Sequence, residues 1–266
     1  MKPLISVITI TYQAEANFRQ TAESVLGQTY SNFEYLIIDG NSKDDTVSLI
    51  KEYESKFCAR GIPFRWISEP DNGIYDAMNK GIKMASGDYV WFMNAGDSIA
   101  SSECMEEILK TIPGYQINSG EISKNDLPDF IYGETCVVNE QGEILGARRL
   151  KSPEKLDWKS FKMGMLVCHQ SMLAKRSVAP LFDLKYRYSS DIDWTIRCLL
   201  ISKNIHNTHI ITSHYQDGGV STKKMRASLR ERFKIMAKYY GFLPTAFRHL
   251  WFGCRALWFK LIHGWF

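Results

Sequence analysis

Residues 71–97 read DNGIYDAMNKGIKMASGDYVWFMNAGD, and this stretch decides the fold that the sequence predicts. A polar loop precedes a predicted helix from about Ile74 to Ala85, and Tyr89–Met93 is then a continuous apolar run of strand length. Such a run is typical of a strand covered on both faces, as in parallel α/β sheets. Asn94–Asp97 follows at the carboxyl end of this strand, where open α/β sheets bind ligands. The stretch therefore predicts an α/β protein with a binding site near Asp97.

The predicted strand end carries groups that a hard divalent cation prefers. The carboxylate of Asp97 and the amide oxygen of Asn94 are oxygen ligands, and Gly96 lets the backbone approach a ligand closely. Mg²⁺ or Mn²⁺ that carries substrate phosphates is the predicted ligand. The alternative is that Asp97 caps a following helix and Asn94 forms a turn, and the motif alone leaves both open.

Composition predicts a folded α/β chain with a basic C-terminal part. A chain of 266 residues that is 45% hydrophobic can bury one large core, with or without an appendage. The net charge is +4, but from Lys223 onward ten Lys or Arg accompany a single acid, Glu231, so this part carries +9 and the preceding part −5. The positive charge is therefore concentrated in the appendage.

The cysteines and the first residues predict a reducing, cytosolic environment. No CxxC pair and no metal-ligand spacing occurs among the six cysteines, which therefore read as reduced, mostly buried thiols. They are Cys58, Cys104, Cys136, Cys168, Cys198 and Cys254. The chain enters a strand within a few residues and shows no cleavage-site pattern, so no signal peptide is predicted.

Strand and helix patterns alternate through the first half of the chain. The predicted elements are strand Leu4–Thr11, helix Phe18–Leu26, strand Phe33–Ile38, helix Thr46–Phe57 and strand Phe64–Ile67. Their short connections predict a Rossmann-like, mainly parallel sheet with right-handed crossovers and helices on both faces. The loop after the first strand lacks GxGxxG, and GxxxxGK[ST] is absent, so neither a dinucleotide site nor a P-loop is predicted. Later in the chain we expect a hairpin through Ile131–Val138 and Ile144–Arg149 and a last strand over His206–Ser213.

Several ordered motifs resemble glycosyltransferase family 2, whose bacterial polysaccharide-type members are inverting enzymes with the GT-A fold. They are ISVITITYQ, SVLGQTYSNFEYLIIDGNSKDDT and EPDNGIYDAMNKGIKMASGDYVWFMNAGD, and the resemblance resumes at CHQSML, YSSDIDWTIR and HYQDGGVS. The resemblance implies transfer of a sugar from a nucleotide diphosphate sugar, first of all a UDP-sugar, to a hydroxyl of a lipid-linked oligosaccharide or glycan. It also implies a catalytic domain over residues 1–222, with a nucleotide-sugar half (1–100) and an acceptor half (101–222).

The same resemblance implies which residues meet the donor. Nucleotide-sugar contacts fall on Thr11, Tyr12, Asp39, Asp76, Asn94 and Gly96. Asp39 would accept a hydrogen bond from an imide N–H of uracil, although it also suits an Asx turn that heads GNSKDD. For Asp76 the alternative is an exposed place on a helix.

The metal motif departs from the family pattern. Asn94 and Gly96 occupy positions where carboxylates are common, so Asp97 is the sole charge. His214 resembles a C-terminal histidine that completes metal or diphosphate binding in many GT-A enzymes.

The resemblance places the general base at Asp191. A sugar hydroxyl is a poor nucleophile, and a carboxylate that takes its proton accelerates the attack. Asp193, two residues further on, cannot share a helix face with Asp191 and is expected to cap the helix. The alternative is that both acids only favour the helix dipole. His169 and Trp194 are weak acceptor-site candidates, each with core packing as the alternative.

The last 44 residues, 223–266, are predicted to form a basic amphipathic helical tail. Its apolar residues recur at three- and four-residue steps, in the order Phe247, Leu250, Trp251, Cys254, Leu257, Trp258, Leu261, Ile262 and Trp265. Charged residues interrupt the pattern, so no segment spans a bilayer, but a basic helix with Trp suits an anionic membrane surface. We therefore expect peripheral association with the inner face of the cell membrane. The alternative is packing onto the catalytic domain or onto a second subunit of a homo-oligomer.

Two other function classes stay open. A sugar-phosphate nucleotidyltransferase would share the sheet and the metal, but it should have a Gly-rich, basic loop where this chain has TYQAEANF. A non-catalytic scaffold that binds sugar nucleotides or glycans would retain the fold without the base. Nucleic-acid binding is not predicted, because the basic tail is rich in Trp and Leu rather than polar.

Overall fold

The computed structural model describes residues 1–139, 141–216 and 224–251. Within these ranges one sheet of nine strands organises the chain. The strands are β1 (Ile5–Thr11), β2 (Phe33–Asp39), β3 (Phe64–Ser68), β4 (Tyr89–Phe92), β5 (Ser98–Ile99), β6 (Phe130–Val138), β7 (Ile144–Ala147), β8 (Met172–Lys175) and β9 (Ile205–Gln216). The α-helices are α1 (Glu15–Leu26), α2 (Thr46–Ala59), α3 (Ile74–Met84), α4 (Cys104–Lys110), α5 (Ser190–Ile201) and α6 (Met225–Tyr240).

The strand order is β3-β2-β1-β4-β8-β6-β9-β5, and β7 pairs with β6. The pairs β1–β2, β1–β4 and β2–β3 are parallel, which confirms the predicted β-α alternation of the first half. The second half is different, because β8 runs antiparallel to both β4 and β6, and β5 runs antiparallel to β9. The sheet as a whole is therefore mixed: the pairs among β1 to β4 and the pair β6–β9 are parallel, whereas β5, β7 and β8 run antiparallel to their neighbours.

Helices cover both faces of the sheet, as predicted. One face packs against α1, α2 and α4, whose buried residues include Phe18, Tyr53 and Met105. The opposite face packs against α3, α5 and α6. Neighbouring residues of β1 pack on opposite faces of the sheet: Val7 lies in the core with α1, α2 and α4, and Ile8 lies in the core with α3, α5 and α6. This is the two-faced burial that explains the continuous apolar runs in the sequence.

The C-terminal part of the described chain is helical. After α6, Gly241 separates that helix from a second helical segment over residues 242–251. Phe233 of α6 contacts the rings of Phe242 and His249, so the two helical segments pack together. None of the helices in the described ranges is long and apolar enough to cross a membrane. The predicted tail residues Cys254, Leu257, Trp258, Leu261, Ile262 and Trp265 lie outside the described residues, as does the predicted domain boundary at 222.

Candidate active site

Three aligned strand ends surround Asp39. Thr11 lies opposite Asp39 in the β1–β2 pairing, and Ser68 lies opposite it in the β2–β3 pairing. Thr11 Oγ1 donates to Asp39 Oδ1 (2.9 Å), Ser68 Oγ donates to Oδ2 (2.6 Å), and Ser42 donates its N–H to Oδ2 and its hydroxyl to Oδ1. These bonds use about four lone-pair sites, which is the capacity of a carboxylate. A uracil imide would therefore have to displace one of these protein donors to bond to Asp39.

An exposed ring and a carboxylate flank Gly40 at the rim of this network. A Cβ atom at Gly40 would lie 2.6 Å from Asp71 Oδ2 and 3.1 Å from Tyr12 Cδ2, so only glycine leaves this space open. Tyr12 is 66% exposed, which leaves its ring available for stacking on a nucleotide base. The adjoining loops hold Gln13 and Asn41 at φ values of 47° and 64°, a conformation that concentrates at functional sites.

Asp76 lies in the first turn of α3 and is half-buried. Its Oδ2 accepts hydrogen bonds from the backbone N–H (3.0 Å) and the side-chain amide (3.3 Å) of Asn72. The carboxylate therefore stabilises the turn that enters α3. A contact from Asp76 to the donor stays a prediction.

Asp97 is buried just before β5. Gln170 Nε2 donates to Asp97 Oδ2 (2.6 Å), and the backbone N–H of Gln216 donates to Oδ1 (3.1 Å). Burial raises the pKa of Asp97 to about 7, although both hydrogen bonds act to lower it. A buried carboxylate that lacks a cationic partner is costly, and a bound cation offsets that cost.

The surroundings of Asp97 fit a divalent cation that also binds the donor. Asn94 Oδ1 is buried and has no hydrogen-bond partner among the described residues, so an oxygen ligand stands three residues from Asp97. His214 lies opposite Ser98 in the β5–β9 pairing, and burial lowers its pKa, which favours the neutral, metal-binding imidazole. No group of three or more His, Cys, Asp or Glu side chains placed to hold a metal occurs within residues 1–139, 141–216 and 224–251. Phosphate oxygens of the donor would have to complete the coordination.

Gly96 has a structural requirement of its own. Its φ is 102°, in the region that favours glycine, and a Cβ atom there would collide with the side-chain oxygen of Gln216. Glycine at this position therefore lets β9 approach the loop that carries Asp97.

Asp191 lies in the first turn of α5 and is half-buried. The hydroxyl of Tyr75, from α3, donates to Asp191 Oδ1 (3.2 Å). Burial and the charge of Asp191 raise the pKa of Tyr75 well above its ordinary range, so the phenol stays protonated as a donor. The first half of the chain thus contributes a hydrogen bond to the predicted base in the second half.

Asp193 has no capping role, so that prediction was wrong. Its carboxylate is buried and bonds to Arg197 Nε (2.7 Å), Lys238 Nζ (2.8 Å) and the Tyr239 hydroxyl (2.9 Å). Burial alone would raise the pKa of Asp193, but these partners outweigh it and lower the pKa. Asp193 therefore joins α5 to α6, whereas Asp191 bonds to Tyr75 of α3. The two acids lie on different faces of α5, as their two-residue spacing predicted.

Trp194 belongs to the core rather than to an acceptor surface. It is 1% exposed, its Nε1 donates to Pro180 O (2.6 Å), and its ring stacks on Phe182 with centroids 5.0 Å apart. Core packing thus accounts for Trp194, and we no longer assign it to the acceptor site.

His169 lies in the same aromatic cluster, stacked on Phe92 with centroids 5.2 Å apart. Both of its ring nitrogens are buried, and neither has a hydrogen-bond partner in the part of the chain that the structure describes. Burial lowers the pKa of His169, while the nearby charge of Asp191 acts to raise it. His169 is therefore a neutral imidazole beside Asp191, and its contact with an acceptor stays a prediction.

One dipeptide connects the two predicted reactive groups. Gln170 bonds directly to Asp97, and the ring of the preceding residue, His169, lies 6.1 Å from that of Trp194, on the same helix as Asp191. Both belong to a short 3-10 helix, His169–Ser171, that precedes β8. Because β8 runs antiparallel to β4, this helix lies at the carboxyl end of β4, where Asn94–Asp97 begins. The fold therefore brings Asp97 and Asp191 to the same region.

Three residues of this region were not among the predicted site residues, namely Asp71, Tyr75 and Gln170. All three lie inside quoted motifs, DNGIYDAM and CHQSML, and Tyr75 and Gln170 adjoin residues that were predicted. An uncharged Gln or Tyr gives no local signal of a carboxylate partner that is distant in sequence. The bonds Gln170–Asp97 and Tyr75–Asp191 join residues 73 and 116 positions apart.

The family model described as Glycosyl transferase family 2 matches residues 6–181. Among curated proteins, a PGL/p-HBAD biosynthesis glycosyltransferase of Mycobacterium bovis is 27% identical over 227 residues, covering 82% of this chain and 79% of that protein. An uncharacterized glycosyltransferase of Mycobacterium tuberculosis is 29% identical over 208 residues, covering 76% of this chain and 71% of that protein.

Solved structures resemble the fold, among them S. aureus TarS and the mannosyltransferase PcManGT. S. aureus TarS 1-349 in complex with UDP has a TM-score of 0.64 at 16% identity, over 88% of this chain and 65% of that one. The mannosyltransferase PcManGT from Pyrobaculum calidifontis, in complex with GDP-Man and Mn²⁺, has a TM-score of 0.61 at 13% identity, over 93% of this chain and 74% of that one. At these identities the likeness concerns the fold alone, and it confirms the predicted GT-A architecture.

Proposed function

Since the chain belongs to glycosyl transferase family 2, we propose that it transfers the sugar of a nucleotide diphosphate sugar, with UDP as the nucleotide, to a hydroxyl of a lipid-linked oligosaccharide or glycan. The observation that supports this proposal best is the dipeptide His169–Gln170, because it connects the surroundings of Asp97 with those of Asp191. A transferase needs its leaving-group site and its base on either side of one sugar. A non-catalytic scaffold has no such need.

The donor lies along the carboxyl ends of β1 to β4 in this proposal. The exposed ring of Tyr12 stacks on the base. Gly40 has no side chain and therefore leaves room for the base between Tyr12 and Asp71. Asp39 and Thr11 hold the two loops together through their buried hydrogen bond. The diphosphate extends toward Asn94 and Gly96.

A divalent cation, Mn²⁺ or Mg²⁺, would be held by Asp97, with Asn94 and His214 as further ligands. When bound, it supplies a Lewis acid that neutralises charge on the leaving nucleoside diphosphate. Burial of Asp97 and the unpartnered Oδ1 of Asn94 support this assignment.

Asp191 accepts the proton of the acceptor hydroxyl in our proposal. As that proton moves to the carboxylate, the acceptor oxygen bonds to the anomeric carbon and the bond from that carbon to the diphosphate oxygen breaks. Tyr75 orients Asp191 through its hydrogen bond to Oδ1. A single displacement from the face opposite the diphosphate inverts the anomeric configuration, and no covalent enzyme intermediate forms.

We place this reaction at the inner face of the cell membrane. Five apolar side chains of the C-terminal helical segment are more than half exposed, namely Phe242, Leu243, Phe247, Leu250 and Trp251. The segment belongs to the part of the sequence from Lys223 onward, which carries a net charge of +9. An exposed apolar face with surrounding positive charge suits an anionic lipid surface, which would hold a lipid-linked acceptor near the site.

Replacement of Asp191 by Asn tests the proposed base. We expect turnover to fall by about 10²–10⁴ while UDP binding persists, since the base does not hold the nucleotide. Asp126→Asn, the same change at an exposed carboxylate, is the matched control and should leave turnover unchanged.

The assay is UDP release from UDP-sugars in the presence of alkyl glycoside acceptors, alongside calorimetric UDP binding. Unchanged turnover in Asp191→Asn refutes the base. A wild-type protein that binds UDP-sugars but transfers none across the acceptor screen supports the scaffold instead.

A further inference from the structure

A carboxylate of α6 holds the segment that leads into α5. Glu231 Oε1 accepts a hydrogen bond from the backbone N–H of Arg187 (2.8 Å), and Oε2 accepts from those of Tyr188 (2.7 Å) and Ser189 (3.0 Å). Hydrogen bonds from backbone N–H groups to an ionised carboxylate are stronger than those between neutral groups. Three such bonds fix the path of three consecutive residues.

This carboxylate binds the backbone at the N-cap residue of α5 and at the two residues before it. Helix α5 begins at Ser190, and its N-cap residue, Ser189, makes no side-chain cap hydrogen bond. The N–H of the N-cap residue is one of the four at a helix start that have no partner inside the helix, so another group must accept from it. Here the acceptor comes from a helix about 40 residues later in the chain.

A second bond one turn away on α6 supports the same contact. The hydroxyls of Ser228 and Ser189 are hydrogen-bonded at 2.9 Å, and both residues are buried. Ser228 and Glu231 are three residues apart and therefore share one face of α6. That face of the helix is thus directed at the entrance to α5.

The entrance to α5 determines where Asp191 lies. Asp191 follows Ser189 by two residues and stands in the first turn of the helix. Tyr75 donates to Asp191, and Glu231 accepts from the backbone of Ser189, two residues before Asp191, so these three residues lie close together. Tyr75 contacts the Asp191 side chain, and Glu231 restrains the backbone just before it.

We propose that Glu231 is a positioning residue for Asp191, and that α6 is for this reason part of the catalytic machinery. The inference rests on the proposed role of Asp191 as the base. It goes beyond the family match, because α6 lies outside the matched residues 6–181. A misplacement of about 1 Å costs an enzyme about 10²-fold in rate, so loss of this restraint should act on turnover.

The experiment compares Glu231→Gln, Glu231→Asp, Asp191→Asn and wild type in the full chain. Glu106→Gln, which removes the carboxylate of an exposed ion pair with Lys110 on α4, is the matched control. Steady-state kinetics use the UDP-sugar and alkyl glycoside pair that supports wild-type turnover, and calorimetry measures UDP binding. Thermal unfolding is recorded for every variant, and kinetics are measured well below the lowest midpoint.

For Glu231→Gln we expect kcat to fall about 10- to 100-fold, with the KM for the donor and the Kd for UDP within about twofold of wild type. Glu231→Asp keeps both carboxylate oxygens and should have a kcat between wild type and Glu231→Gln. Glu106→Gln should match wild type.

Failure of the inference is distinguishable from failure of the proposed function. If Asp191→Asn loses turnover but Glu231→Gln keeps wild-type kcat, Glu231 is not a positioning residue. A Glu231→Gln variant that loses UDP binding along with turnover has a general structural defect, which also overturns the inference, as does a Glu231→Asp variant with a lower kcat than Glu231→Gln. Wild-type turnover in Asp191→Asn refutes the base itself.

Discussion

The buried carboxylate of Asp97 should make the metal-free protein less stable as the pH rises. Its pKa is raised from the ordinary 3.8 to about 7 in the folded protein. Between these two values the folded protein holds a proton that the unfolded chain has released. Stability therefore decreases with increasing pH across this window, is highest below the unfolded value, and levels off above about pH 7.

Replacement of Asp97 by Asn isolates this effect, because Asn has nearly the same shape and no charge. Asn can keep both hydrogen bonds if the side-chain amide of Gln170 turns to present its oxygen. The pKa change corresponds to at most about 4 kcal/mol at pH 8, since each pKa unit is worth about 1.4 kcal/mol. We therefore expect Asp97→Asn to be more stable than wild type at pH 8, by at least about 1 kcal/mol, and to show no gain near pH 4.

Urea unfolding in EDTA at pH 4 to 8 measures this difference, followed by the same titration with Mn²⁺ and UDP at pH 8. The ligands should stabilise wild type more than Asp97→Asn, and transferase turnover should collapse in the variant. Two outcomes would refute the claim that the buried charge of Asp97 destabilises the metal-free protein. One is an Asp97→Asn protein that is less stable than wild type at pH 8, and the other is a stability difference between the two proteins that does not grow with pH. Equal stabilisation of both proteins by Mn²⁺ and UDP would remove Asp97 from the metal site.

Two further predictions concern Tyr75 and the exposed C-terminal face. Tyr75→Phe removes the hydrogen bond to Asp191. A hydrogen bond to a charged group is worth about 1.5–3 kcal/mol, so kcat should fall about 10- to 150-fold with the donor KM unchanged. Steady-state kinetics check this, and a wild-type kcat would contradict the orienting role. The double change Phe247→Glu and Trp251→Glu should lower co-sedimentation of the protein with anionic phosphatidylglycerol vesicles. The control change Ile117→Glu, at another exposed apolar residue, should not. Equal binding by wild type, the double variant and the control would contradict the membrane proposal.

The first half of the fold was predictable because its pattern is local. Continuous apolar runs identified β1, β2 and β4, and short connections implied parallel order, which the structure confirms. Errors there are confined to element ends. Helix α1, for example, begins at Glu15 rather than Phe18, because its first turn has polar residues that do not contribute to the hydrophobic stripe.

The second half depends on pairings between distant segments. Strand β9 extends over Ile205–Gln216, beyond the predicted His206–Ser213, because its end pairs with both β5 and β6. No local periodicity reveals a partner that lies more than 70 residues away. Similarly, a Trp is a residue type that often stacks on sugars, and only the packing of Trp194 on Phe182 shows that it belongs to the core.

The antiparallel direction of β8 is the feature of this half that matters most for the site. Lys175 pairs with Tyr89 and Leu173 pairs with Trp91, so the amino end of β8 lies at the carboxyl end of β4. A parallel β8 of the same four residues would place His169 and Gln170 at the opposite edge, about 13 Å away at 3.3 Å per residue. Gln170 would then not reach Asp97, and His169 would not lie beside Asp191. One reversed strand thus brings the loop that carries Asp97 and the surroundings of Asp191 to the same edge of the sheet, as the proposed reaction requires.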